Sequence, residues 1–228
     1  MVWYLVDEKN KVIFGWNAKC GCSHIKKIFY YLTGDKDLNT IHRPSNYIVP
    51  KLLDDLNKYT VIMIIRNPYE RLVSGFLNKF RKNDEAFKML GNNIIPTFNN
   101  LIIYIKDDKY IRNAWFVHHF YPQTYRDPYN ILNYDNLIIY DISNIDYNFI
   151  EELYKKKIPD DIKNFRGKQQ TGHRPKIDKD VTNLILSEYE DCRPYTRCFY
   201  NDDIKSTVDL IFKDDFDFFR KKGFDYHI

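Results

Sequence analysis

The chain has 228 residues, with 35 Lys and Arg against 31 Asp and Glu and a net charge of +4. Hydrophobic residues at 44% and aromatics at 17% supply a buried core and exclude a disordered chain. The mild positive balance suits an anionic ligand but is too weak for a nucleic-acid reader, and four cysteines are too few for a disulfide scaffold. No run approaches the roughly 18 apolar residues that span a bilayer. The opening MVWYLVDEKNKV puts acidic residues directly after a very short apolar patch, which is no signal peptide. The expectation is a single domain over residues 1–228, soluble and cytoplasmic as far as this chain goes.

Val12-Ile13-Phe14 reads as a short buried strand, and Ile25, Ile28, Phe29 and Leu32 form one apolar face of a helix ended by Gly34 as a left-handed cap. Between them lies Ala18-Lys19-Cys20-Gly21-Cys22-Ser23, small residues around one lysine. Such a strand–loop–helix leaves backbone N–H groups unpaired at the positive end of the helix dipole. Small side chains let an anion approach and Lys19 adds a full charge, which makes a phosphate cradle. The alternative is an ordinary turn with a solvated lysine. The order G-x-x-x-x-G-K-[ST] is absent, which argues against a nucleoside-triphosphate loop. Zinc held by Cys20, Cys22, His24 and a distant cysteine is a weaker alternative, because C-x-C is unusual spacing for structural zinc.

Lys51 to Tyr59 is expected to form a short helix, and Val61 to Ile65 a strand buried on both faces of a parallel sheet. Arg66 ends that strand; Asn67 and Pro68 then suit the cap and first position of a helix with Glu70 at the capping-box position. Val73, Leu77 and Phe80 form its buried stripe, and Arg71, Ser74 and Asn78 a polar one. Strand and helix alternate, which predicts an α/β fold with a mainly parallel central sheet flanked by helices. Ligands of such sheets gather outside the carboxyl ends of the strands, where Lys19 and Arg66 would face one crevice. Arg66 pairing with Glu70 or a sheet-edge carboxylate is the structural alternative.

Further on, Phe98 to Ile105 is expected to be helical. Ala114 to Gln123 carries the adjacent His118 and His119, of which at most one can point into a site. Leu137 to Tyr140 reads as a third strand and Tyr147 to Lys155 as a helix. Asn164 to Pro175 forms a basic, turn-rich loop, and Val181 to Glu190 and Ser206 to Lys222 are expected to be helices. Cys192 and Cys198 could pair or stay reduced.

Two of these stretches resemble the nucleotide-binding elements of sulfotransferases that use 3′-phosphoadenosine 5′-phosphosulfate (PAPS), most nearly the Golgi carbohydrate sulfotransferases of the chondroitin and dermatan type. Ala18 to Lys26 with Leu32-Thr33-Gly34 resembles their 5′-phosphosulfate loop, and Arg66 to Phe76 their 3′-phosphate motif over its whole length. His119-Phe120 resembles a His-Trp pair, Tyr134 to Ile138 the strand that follows it, and Asp215 to Phe219 with Tyr226 the terminal helix. The family's cysteines after the His-Trp pair have no counterpart between Tyr125 and Tyr129. By the same resemblance the family's N-terminal anchor is not expected within this stretch, and a missing targeting segment would imply the Golgi lumen.

The resemblance implies a three-layer, P-loop-like sulfotransferase fold. It implies PAPS as donor, 3′-phosphoadenosine 5′-phosphate (PAP) as product, no metal, and a glycan or other hydroxyl acceptor. Lys19 would neutralise charge on the departing phosphate, with Cys20, Gly21, Cys22, Ser23 and His24 around the 5′-phosphate. Arg66 and Ser74 would bind the 3′-phosphate, and Arg166, Lys168 and Thr171 would close over the donor. His119 is the expected general base, with His118, His42 and Glu70 as alternatives.

Overall fold

A computed structural model describes residues 2–34, 56–80, 96–127, 130–165 and 174–228 of the chain. The chain divides into two compact units, Met1–Arg66 with Gln123–Thr171, and Asn67–Pro122 with Gly172–Ile228.

The first unit holds a four-stranded sheet in the order β1 (Trp3–Asp7), β2 (Val12–Trp16), β3 (Thr60–Ile65), β4 (Leu137–Asp141). β1 runs antiparallel to β2, whereas β2, β3 and β4 are mutually parallel. The expected mixed α/β architecture with a mainly parallel sheet is therefore present. The three expected strands fall where the apolar runs stand; β1 is an addition. Its Trp-Tyr-Leu-Val run lacks alternation and looks too short alone. What makes it a strand is the turn that follows, where the Asp7 carboxylate accepts the N–H groups of Lys9 (3.0 Å) and Asn10 (3.1 Å) and the Asn10 side-chain amide (2.8 Å).

The central strands β2 and β3 are buried on both faces, as their unbroken apolar runs require: Ile13, Val61, Met63 and Ile65 are 0% exposed on one side. On the other, Val12, Phe14, Trp16, Ile62 and Ile64 pack with helix α1 (Cys22–Thr33) through Ile25, Ile28, Phe29 and Leu32. Gly34 ends α1 at φ 79°, the expected left-handed cap.

The second unit begins with α2 (Pro68–Phe80), followed by α3 (Phe98–Lys106) and α4 (Ala114–Phe120). The first unit supplies α5 (Tyr147–Tyr154) and α6 (Asp160–Lys163), whose Ile150 and Ile162 complete its core. The second then ends with α7 (Asp202–Ile211) and α8 (Lys213–Lys221). Its core is aromatic: Phe76, Phe98 and Phe199, each 0% exposed, pack edge to face with ring centres 5.3 to 6.3 Å apart.

Three expected helices change. Residues 181–190 form turns and a 3₁₀ segment, Leu186–Tyr189. There Asp180 captures the Thr182 N–H (2.8 Å) and Glu188 the Ile185 N–H (2.8 Å), so side chains compete with a helical ladder. The expected helix 206–222 starts earlier, because Asn201 caps Ile204 N–H (2.9 Å), and breaks at the fully buried Phe212. Of the expected helix 51–59, residues 51–55 lie outside the described residues and Leu56–Lys58 is a single 3₁₀ turn.

Candidate active site

Strand register puts the carboxyl ends of β2, β3 and β4 on one edge, with Trp16 opposite Ile64 and Ile65 opposite Asp141. Asn17 to Gly21 leave this edge as a tight curl. Lys19 at φ 70° and Gly21 at φ 74° are both left-handed, a conformation that a lysine adopts at a cost of about 1–2 kcal/mol. Gly21 is favoured by its positive φ, and a Cβ there would also stand 2.2 Å from Ile142 Cδ1 on the loop after β4, so that side chain would have to move.

Gly21 occupies the cap position of α1 without any side-chain cap, and the first turn holds no acidic residue. The N–H groups of His24 (2.9 Å) and Ile25 (3.0 Å) both close on the Gly21 carbonyl. The N–H groups of Gly21, Cys22 and Ser23 have no backbone partner among the described residues. The cradle is thus narrower than expected by one amide, that of His24. The His24 ring is buried and turned under the loop toward the Tyr147 hydroxyl, 3.4 Å from Nε2. The Cys20 thiol is likewise buried and its N–H donates to the Asn17 carbonyl at 3.2 Å, so Cys20 shapes the loop and offers an anion no donor of its own. Cys22, Ser23 and Lys19 are half-buried at the surface of the curl.

Arg66 follows β3 on the same edge, half-buried, and its Nη1 donates to the Lys19 carbonyl at 3.4 Å. The lysine and arginine loops therefore lie side by side on this edge. A residue that sequence reading passed over joins them. Gln123 is fully buried; its Oε1 accepts from Cys20 Sγ (2.9 Å) and Arg66 N–H (3.0 Å), and its Nε2 donates to the Arg66 carbonyl (2.7 Å). Its carbonyl accepts from Asn17 Nδ2 at 3.1 Å. The available signal was a glutamine among aromatics directly after helix-ending Pro122, a place where a polar side chain needs buried partners.

In the second unit, Ser74 is half-buried on α2, and the adjacent Gly75 packs so closely on α4 that a Cβ would stand 2.9 Å from Phe120 and 3.5 Å from the His119 carbonyl. The expected polar stripe of α2 divides: Arg71 is fully buried and donates to the carbonyls of Tyr121 (2.8 Å) and His118 (3.1 Å), closing the carboxyl end of α4. His119 is half-buried against Trp115, and its Nδ1 lies 2.7 Å from the Trp115 carbonyl. A carbonyl only accepts, so in the neutral ring Nδ1 carries the hydrogen and Nε2 is the basic nitrogen. Glu70 is exposed. Arg166, Lys168, Thr171 and His42 lie outside the described residues. Among the described residues all four cysteines are free thiols and no three metal-ligating side chains gather.

On α5, the Glu151 carboxylate is held at about pKa 2, from an ordinary 4.5, by hydrogen bonds from Lys157 (2.8 Å), Lys163 and the Ile158 N–H (2.9 Å). Lys163 lies 2.6 Å from it and also lines an open groove of about 540 Å³ with Tyr140, Asn144, Asp146 and Tyr147.

The edge thus sets open amides, a lysine and an arginine together, the chemistry of a protein that handles an anionic group. A family model described as the sulfotransferase family matches residues 3–222, and the chain belongs to that family. It is similar to carbohydrate sulfotransferase 11 of Danio rerio, 31% identical over 90 residues, 33% of this chain and 26% of that protein. Carbohydrate sulfotransferase 8 of Homo sapiens is 32% identical over 87 residues, 33% and 20% of the two chains. For carbohydrate sulfotransferase 9 of Homo sapiens the figures are 29% over 121 residues, 48% and 25%. The matched stretch is about a quarter or less of these relatives' length. No solved structure matches the chain. Among the described residues no helix is long and apolar enough to cross a membrane.

Proposed function

We propose that this protein transfers a sulfonate group from PAPS to a carbohydrate hydroxyl, with residues 1–228 acting as one catalytic domain. The observation that carries the reading is the open amide cradle of Gly21, Cys22 and Ser23 lying beside Arg66 on one sheet edge. Family membership and the names of the relatives support it.

When bound, the donor supplies an activated sulfonate on a phosphate leaving group. The three amides and the Ser23 hydroxyl would hold the 5′-phosphate, and Lys19 would neutralise the charge that grows there. Arg66 would take the 3′-phosphate by a charge-assisted fork, together with the Ser74 hydroxyl. His119 Nε2 would accept the proton of the attacking hydroxyl. These residues position and neutralise, which is most of what in-line group transfer asks of a protein. The test is sulfate transfer from labelled PAPS across a panel of glycans and tyrosine peptides. Labelled glycan is the expected product; labelled tyrosine peptide alone would replace the acceptor assignment, and no labelled product would overturn the reading.

A further inference from the structure

We infer that Gln123 is a positioning residue: it fixes the spacing between the lysine loop and Arg66 so that both can hold one nucleotide bearing two phosphates. The inference rests on the nucleotide reading above.

The ladder that joins β2 to β3 ends at Trp16 and Ile64. Beyond it the two loops diverge toward different helices, and the Gln123 amide takes up the link. One side-chain oxygen accepts from the lysine loop (Cys20 Sγ, 2.9 Å) and from the arginine loop (Arg66 N–H, 3.0 Å). The side-chain nitrogen closes a second bond to Arg66, at its carbonyl (2.7 Å), while Asn17 holds the Gln123 backbone (3.1 Å). Asn17, Cys20 and Gln123 are fully buried and Arg66 half-buried, a setting where such a network is stiff and an unmade bond costly. The direct bond from Arg66 Nη1 to the Lys19 carbonyl is longer, at 3.4 Å, and it uses the guanidinium that the 3′-phosphate would draw away. Only a neutral amide of this length provides donor and acceptor at once. A glutamate would lose the donor and bury a charge, and an asparagine would fall short.

A merely structural glutamine would leave the two phosphates equally well or equally badly held. A spacer makes a sharper prediction, because loosening it spoils the simultaneous grip. Calorimetric titration of the wild type, Gln123→Met and Cys20→Ala with PAP and with 5′-AMP gives the gain in affinity due to the 3′-phosphate. Gln123→Met, which keeps the shape without the bonds, is expected to cut that gain about tenfold, and Cys20→Ala about threefold, with 5′-AMP affinity changed less than about threefold in each. An unchanged gain in Gln123→Met, or an equal loss for both nucleotides, overturns the inference. Should Gln123→Met fail to fold, Cys20→Ala decides alone, and a wild-type gain there overturns it. A wild type that binds PAP no tighter than 5′-AMP would instead remove the nucleotide reading, and the inference with it.

Discussion

The turn after β2 and the turn after β3 leave the same sheet edge and lead into helices of 12 and 13 residues, but they treat the helix start in opposite ways. Before α1 the chain uses left-handed Lys19 and Gly21, has no side-chain cap and no acidic residue in the first turn, so the amides stay open. Before α2 the Asn67 side chain caps Tyr69 N–H at 3.0 Å, Pro68 has no N–H to offer, and Glu70 fills the first turn. Asn67 also donates to the His227 carbonyl at 3.2 Å. One turn therefore leaves three amides open to an anion, whereas the other covers the Tyr69 amide and has none at Pro68, so that side chains, Arg66 above all, carry more of its grip. A doubly phosphorylated ligand would be gripped in two different ways.

Mutations can break this contrast. Lys19→Ala removes the charge at the open turn and is expected to lower turnover by about 10²–10³-fold while thermal unfolding stays put; retained transfer would remove Lys19 from the chemistry. His119→Ala is expected to lower turnover by about 10²-fold or more and to flatten the acidic limb of the pH–rate profile, with PAP affinity preserved. Arg66→Ala should weaken PAP binding by about 1.5–3 kcal/mol, roughly 10- to 150-fold in Kd, and leave 5′-AMP binding nearly unchanged, as read by calorimetry. An equal loss for both nucleotides would mean that Arg66 serves the fold.

Asn67→Ala sharpens the comparison from the stability side. It should cost about 1 kcal/mol in denaturant unfolding, because α2 depends on its cap; α1, which has none, has no counterpart to lose. A further test is the pH dependence set by Glu151 on α5. The folded Glu151 carboxyl sits at about 2 against an ordinary 4.5, so its contribution is complete above 4.5 and is lost as pH falls from there through 2. Melting temperatures between pH 5 and pH 2 should fall less steeply in Glu151→Gln than in the wild type.

The parts of this site that the sequence made legible are those written in local pattern. Val61 to Ile65 is a buried parallel strand because nothing polar interrupts it, and Gly34 ends α1 because only a left-handed residue suits that position. Pairing the two loops needed only the rule that parallel strands share a carboxyl edge. What stayed illegible depends on distant partners. Gln123 meets Cys20 and Arg66 across 103 and 57 residues, and no periodicity reports that. Arg71 reads as part of a polar stripe because helical spacing says which residues share a face, not what covers it. The buried carbonyls of His118 and Tyr121 decide its role. β1 was hidden because its stability comes from the Asp7 turn and from pairing with β2.

The central claim, that one nucleotide with a phosphate at each end occupies the two turns, is tested most directly by calorimetric comparison of PAP with ADP on the wild-type protein. The account predicts that PAP binds the more tightly, because Arg66 meets a phosphate that ADP does not carry. Equal or tighter binding of ADP would contradict it.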